Sequence, residues 1–314
     1  MKPKSGYIKR MIYALVVMML LMNTVAFIHA YKFTHFTSSD TIKTANPEKL
    51  SFSKKLQALF LGVNNPRPKN KSLPESKYET VSLNSNKKIE CWHIPVDSSK
   101  GTVIIFHGFS GYKSSMLDKS EIFNRLGHST FLVDFMGSGG SEGNQTTIGY
   151  FEAQEVVTAF NYLQQKGEKN IILFGTSMGA AAIMKALNDS DLQAAAVILE
   201  CPFGSMLETV QARFKTMKVP SFPMANLLVF WGGVQNNFNA FEHNPEAYSA
   251  SIHVPALLLY GEKDRNVSRQ EIDRIFANLK GKKELKLYPE SGHENYLIKY
   301  KEDWIKDVTH FLTN

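Results

Sequence analysis

Ser177 lies in Gly175-Thr176-Ser177-Met178-Gly179, after the apolar run Ile171–Phe174 and before the small-residue stretch Ala180–Leu187. A serine flanked by glycines at a strand-to-helix corner is held in a strained, exposed conformation, and the missing side chains let strand and helix approach closely. Serine is a weak nucleophile at neutral pH and needs a general base. His293, in Ser291-Gly292-His293-Glu294, follows the last predicted strand, where a loop can swing the imidazole over the serine. His243 falls in an insertion, His253 enters a strand and His310 sits in the terminal helix, so these three are assigned structural or surface roles. An acid must orient the imidazole and stabilise its protonated form. Asp264, in Gly261-Glu262-Lys263-Asp264, follows the buried run Ala256–Tyr260 and is preferred on chain order and strand-end position; Glu200, ending Ala196–Glu200, is the alternative acid.

Acyl transfer also needs N–H groups aimed at the developing oxyanion. His107-Gly108-Phe109-Ser110-Gly111 follows the run Thr102–Phe106, so the backbone amides of Phe109 and Met178 are the expected donors, with His107 a hydrogen-bonded structural residue. No cofactor or metal is implied. Cys91 and Cys201 lie far apart without a CxxC or Cys/His cluster and read as two buried free thiols. Gly137-x-Gly139 nearly imitates a dinucleotide loop, but Glu142 stands where its final glycine is needed, which excludes NAD binding.

These residues need a frame. Tyr78–Leu83 and Lys88–Ile94 read as an antiparallel start, followed by short buried strands at Thr102–Phe106, Ser129–Asp134, Ile171–Phe174, Ala196–Glu200, Ala256–Tyr260 and Glu284–Tyr288. Helical stretches at Met116–Leu126, Phe151–Lys166, Met178–Asn188, Ser268–Leu279 and Glu294–Leu312 alternate with them. Such alternation specifies a mostly parallel, doubly wound α/β sheet with helices on both faces and chemistry at the strands' carboxyl ends. Residues 202–254 exceed an ordinary crossover and are rich in Met and aromatics, so they are expected to form a small lid with an apolar underside.

With four motifs in order across residues 78–314, the chain resembles the α/β-hydrolase superfamily, and within it the membrane-anchored Bem46-like and serine-aminopeptidase-like groups. The motifs are His107-Gly108 with Gly111; Asp134-x-x-Gly137-x-Gly139-x-Ser141-x-Gly143; the serine corner; and Gly261-x-x-Asp264 with Gly292-His293. Met136 stands where the second motif often carries Arg. The resemblance implies a serine hydrolase acting on a carboxylic ester or related acyl bond through an acyl-enzyme. An aminopeptidase or amidase on the same triad is the alternative, and a non-catalytic binding protein of the same fold a more distant one. A small acyl or lipid-like substrate is the expected partner.

The formal charge of +7 does not point to nucleic acid, because residues 1–75 carry +9 and residues 76–314 carry −2. Met11–Ala30 runs twenty residues without Asp, Glu, Lys or Arg, enough to cross a hydrocarbon layer of about 30 Å. After the basic tail 1–10, it is read as a transmembrane anchor with the catalytic domain on the non-cytoplasmic side, or as a signal segment whose cleavage after Ala30 would give a secreted or periplasmic protein. Residues 31–77, basic and broken by prolines, read as a stalk with an apolar island at Leu50–Leu61 suited to a lipid surface or to packing against the main domain. A chain starting at Tyr31 is expected to keep the whole hydrolase domain, 78–314.

Overall fold

The computed structural model of the protein describes residues 4–41, 44 and 51–313. Eight strands form one sheet: β1 (Glu79–Asn84), β2 (Lys88–Ile94), β3 (Thr102–Phe106), β4 (Ser129–Val133), β5 (Ile171–Thr176), β6 (Ala196–Glu200), β7 (Ala256–Gly261) and β8 (Lys283–Tyr288). Their spatial order is β1-β2-β4-β3-β5-β6-β7-β8. β1 and β2 are antiparallel to their neighbours, and every pair from β4 to β8 is parallel. Each residue of β3, β4, β6 and β7 is buried, as uninterrupted apolar runs covered on both faces must be. β8 departs from the expected buried strand. Lys283, Glu284 and Lys286 leave it half-buried at the sheet edge, where charge is tolerated and opposes edge-to-edge pairing.

Alternate side chains of each strand feed two cores. Ile104 and Phe106 pack with α4 (Glu152–Gln165) and α5 (Met178–Asp189) on one face. Val103 and Ile105 pack with α3 (Leu117–Arg125) and α10 (Lys301–Thr313) on the other. The helix expected over Glu294–Leu312 begins only at Lys301. Before it, Asn295 caps a single 3-10 turn and the buried Tyr296 hydroxyl accepts the Gly261 N–H at 2.9 Å, holding the segment as a loop at the end of β7.

The insertion between β6 and β7 folds into α6 (Met206–Met217), α7 (Met224–Gln235) and α8 (Pro245–Tyr248), ahead of α9 (Arg269–Asn278). The buried His243 ties the lid down, with Nε2 2.9 Å from Ile148 O, and burial pushes its pKa down to about 4, so the ring is neutral.

The N-terminal helix α1 (Lys4–Thr34) runs through the expected span and four residues past it, because Tyr31–Phe33 carries no breaker. Its first half is exposed and apolar. Its second half packs on α7: Ala26 and Ala30 are buried, the Trp231 indole donates to Asn23 Oδ1 at 3.2 Å, and Phe27 meets Trp231 edge-on. α2 (Phe52–Leu61) forms on the apolar island; Leu59 and Phe60 are exposed, while Leu50 and the Phe52 and Leu56 side chains lie outside the described residues.

The segment read as a stalk is pinned to the domain at several points. Phe36 is buried, the Arg67 guanidinium donates to the carbonyls of Gly139 and Ser141, and Asn70 donates to Asp134 at 2.7 Å. Asp134 is fully buried and paired with the equally buried Lys113. That ion pair, capped by Asn70 and by the Gly140 N–H, holds the second glycine motif in place. A chain starting at Tyr31 would keep these contacts but lose Ala26, Phe27 and Ala30 from the packing of α1. Removal of residues 1–21 should leave the thermal unfolding midpoint in detergent within about 2 °C of the full chain, whereas removal of residues 1–36, which takes away Phe33 and Phe36, should lower it by at least about 5 °C. Equal midpoints for the two truncations would contradict this packing.

Candidate active site

β5 ends in the corner that carries Ser177. The serine has φ 52°, a left-handed value that L side chains avoid, and the tight approach around it explains why the chain accepts that conformation. A Cβ on Gly175 would lie 2.5 Å from the Gly179 carbonyl carbon, and one on Gly179 would run into Phe106 O. The Ser177 N–H donates to Glu200 O at 2.7 Å, so the end of β6 clamps the corner from the other side.

The structure brings Ser177, His293 and Asp264 together. Ser177 Oγ lies 2.9 Å from His293 Nε2, and His293 Nδ1 lies 2.6 Å from Asp264 Oδ2. The other oxygen of Asp264 accepts the backbone N–H groups of Asn266 at 2.7 Å and Val267 at 3.0 Å, which fixes the carboxylate's direction. β7 and the His293 loop meet closely because residue 261 is glycine: a Cβ there would lie 2.5 Å from Ser291 O. Burial alone would lower the His293 pKa, but the Cys201 sulfur and the Asp264 carboxylate beside the ring raise it above the ordinary imidazole value. Asp264 is bonded directly to Nδ1 and favours the charged ring. An oxygen, a ring and a carboxylate in this order can pass a proton from the serine to the imidazole while the carboxylate keeps Nδ1 protonated.

Glu200 is placed elsewhere. Its carboxylate is fully buried, accepts the Trp304 indole N–H at 2.6 Å and the Thr176 hydroxyl at 2.9 Å, and lies 3.6 Å from Lys119 Nζ. These partners make it a brace beneath the corner with no bond to His293.

Phe109 and Met178 flank the serine. Met178 opens α5, where the first backbone N–H groups have no intrahelical acceptor, and the Phe109 N–H has no acceptor among the described residues. His107 steadies this loop: Nδ1 donates to Gly108 O at 2.8 Å, and Nε2 accepts the Phe135 N–H at 3.1 Å.

A cavity of about 340 Å³ opens over Ser177, lined by Phe33, Phe109, Ile148, Phe203, Arg213 and Val267 among others. Three of its residues were not legible as site residues. Phe33, from the end of α1, stacks on Phe109 at 4.6 Å, and Arg213 of α6 lies 4.0 Å over Phe33. The third, Cys201, is buried at the end of β6, its sulfur within 4.8 Å of the ligand atoms of Asp264 and His293. Thiolate, carboxylate and imidazole are a donor set that a soft cation takes, but an ion there would break the His293–Asp264 bond.

A model of the serine aminopeptidase family matches residues 97–250. The chain is 25% identical over 230 residues to the protein YqkD of Bacillus subtilis, covering 72% of this chain and 75% of that protein. It is 25% identical over 240 residues to a membrane protein of Saccharomyces cerevisiae (74% of this chain, 78% of the other) and 24% identical over 244 residues to the protein bem46 of Schizosaccharomyces pombe (74% and 75%). Among solved structures it is similar to the Pyrococcus furiosus esterase Pf2001, with a TM-score of 0.68 at 23% identity over 80% of this chain and 97% of that one. The chain therefore has the α/β-hydrolase fold, and in sequence it is similar to the serine aminopeptidase family and to the Bem46-like proteins.

Proposed function

We propose that this hydrolase cleaves a carboxylic ester or related acyl bond, with Ser177 as nucleophile, His293 as general base and acid, and Asp264 as the group that orients His293. The observation that carries this reading is the unbroken hydrogen-bond series from Ser177 Oγ through His293 to Asp264 at the floor of an open, largely apolar cavity. His293 Nε2 takes the hydroxyl proton as Ser177 Oγ attacks the carbonyl carbon, and the Phe109 and Met178 amides receive the oxyanion. The protonated ring then gives its proton to the leaving group, and water repeats the sequence in reverse to release the acid. The amidase reading draws on the name of the matching family model. An amine-binding site would need a free carboxylate, and Glu294, which lines the cavity, is engaged with Lys299 at 2.7 Å. That pairing favours the ester.

The same reading places the protein on a membrane through α1, with its catalytic domain on the non-cytoplasmic side. Support comes from the exposed apolar first half of α1 and from the membrane relative in yeast. Cleavage after Ala30 would strip Ala26 and Phe27 from α7, which disfavours a removed signal segment.

Asp264→Asn should lower kcat by about two to four orders of magnitude on a p-nitrophenyl acyl ester, and Glu200→Gln by much less. Because the carboxylate raises the His293 pKa and only the neutral ring accepts a proton, activity falls as pH drops through that pKa. Asp264→Asn should therefore also move the acidic limb of the kcat/KM profile to lower pH. The reverse ranking of the two variants, or a limb that does not move, would assign the acid's role elsewhere.

Full-length protein should stay with membranes after a carbonate wash. A soluble mature chain beginning at Tyr31 would replace the anchor with secretion.

A further inference from the structure

Arg213 lines the cavity over Ser177, and no carboxylate is paired with it among the described residues. Two neighbouring arginines are occupied: Arg269 meets Asp273 and Glu262, and Arg274 meets Glu208 and Glu246. Among the described residues the ring contact of Arg213 is Phe33, at 4.0 Å, and Phe33 in turn stacks on Phe109. One turn earlier on the same face of α6, Thr209 also lines the cavity, as does Asn266 from the loop after Asp264. Arg213 is exposed, so its charge can be reached by a ligand in the cavity. A guanidinium without a counter-charge, next to an apolar wall, suits a planar or tetrahedral oxyanion ligand.

We propose that Arg213 selects substrates bearing an anionic group, carboxylate or phosphate, at a distance from the scissile acyl bond. This rests on the ester-hydrolase reading and adds the substrate's charge to it. The apolar walls contributed by Phe33, Phe109, Ile148 and Phe203 take the chain, Ser177 takes the carbonyl, and Arg213 with Thr209 takes the anion. Phe33 is the last aromatic of α1, so the anion site is built partly from the end of the anchoring helix.

The test uses the full chain in detergent with two substrate pairs. One pair is p-nitrophenyl hexanoate against p-nitrophenyl hydrogen adipate, whose anion is on the acyl side. The other is a monoacylglycerol against the matching lysophosphatidic acid, whose anion is on the alcohol side. In at least one pair the wild type should prefer the charged member, and Arg213→Gln should reduce the charged-to-neutral ratio of kcat/KM by about 10- to 100-fold, with Arg213→Lys restoring part of it. Whichever pair responds identifies the side of the bond on which the anion lies. A role confined to packing against Phe33 would lower both members alike and leave the ratio unchanged, which would overturn the proposal. Binding of dodecyl phosphate against dodecanol, followed by tryptophan fluorescence, reads the same site without turnover. Tighter phosphate binding that is lost in Arg213→Gln would support the anion site even if no ester were cleaved, an outcome that would sink the ester reading alone; equal binding by wild type and variant would overturn the anion site.

Discussion

The left-handed backbone at Ser177 is the constraint on which the architecture of this site depends. A residue with a side chain at φ 52° persists only where its surroundings leave no alternative. Here they come from three directions: Gly175 against Gly179, Gly179 against the Phe106 and His107 carbonyls, and the Ser177 N–H on Glu200 O. The same contacts bring the Phe109 loop next to the first turn of α5, so the corner that projects the hydroxyl also sets two backbone N–H groups beside it. Glu200 serves this frame: with Trp304, Thr176 and Lys119 as partners, it fixes the floor on which the corner stands.

The N-terminal helix is bound into the same frame. Through Ala26, Phe27 and Ala30 it packs on the lid helix α7, and through Phe33 it reaches Phe109, the proposed oxyanion donor. Phe33 of α1 thus lies between Arg213 of the lid and Phe109. The cavity opens beside the end of α1. Phe222, Phe230 and Val234 of the lid are exposed, as is the apolar first half of α1.

Much of the sheet could be read from the chain because its central strands are short and wholly apolar, and the two glycine-bounded motifs fall at their ends. Ser177, His293 and Asp264 could be located for the same reason, since each follows a run whose strand character leaves little choice. Harder to see were features fixed by tertiary contact. Glu294–Leu312 has a helical pattern throughout, yet Tyr296 is drawn to Gly261 and breaks its first turn. α1 continues four residues past the uncharged span, through Lys32, whose ammonium donates to Asn64 at 3.0 Å. Cys201 carried no spacing signal, being brought to His293 only by the end of β6. Arg213 sat unremarked among the aromatics of the insertion; the Thr209–Arg213 spacing on one helical face was the available signal, and it acquires meaning only once α6 is laid over the serine.

The central claim is that Ser177 is the group that becomes acylated. Intact mass measurement and peptide mapping after brief exposure of the full chain to a fluorophosphonate test it directly. The account predicts a single adduct on the peptide that contains Ser177, formed faster as His293 loses its proton and absent in Ser177→Ala. A stoichiometric adduct on any other residue, or undiminished labelling of Ser177→Ala, would contradict it.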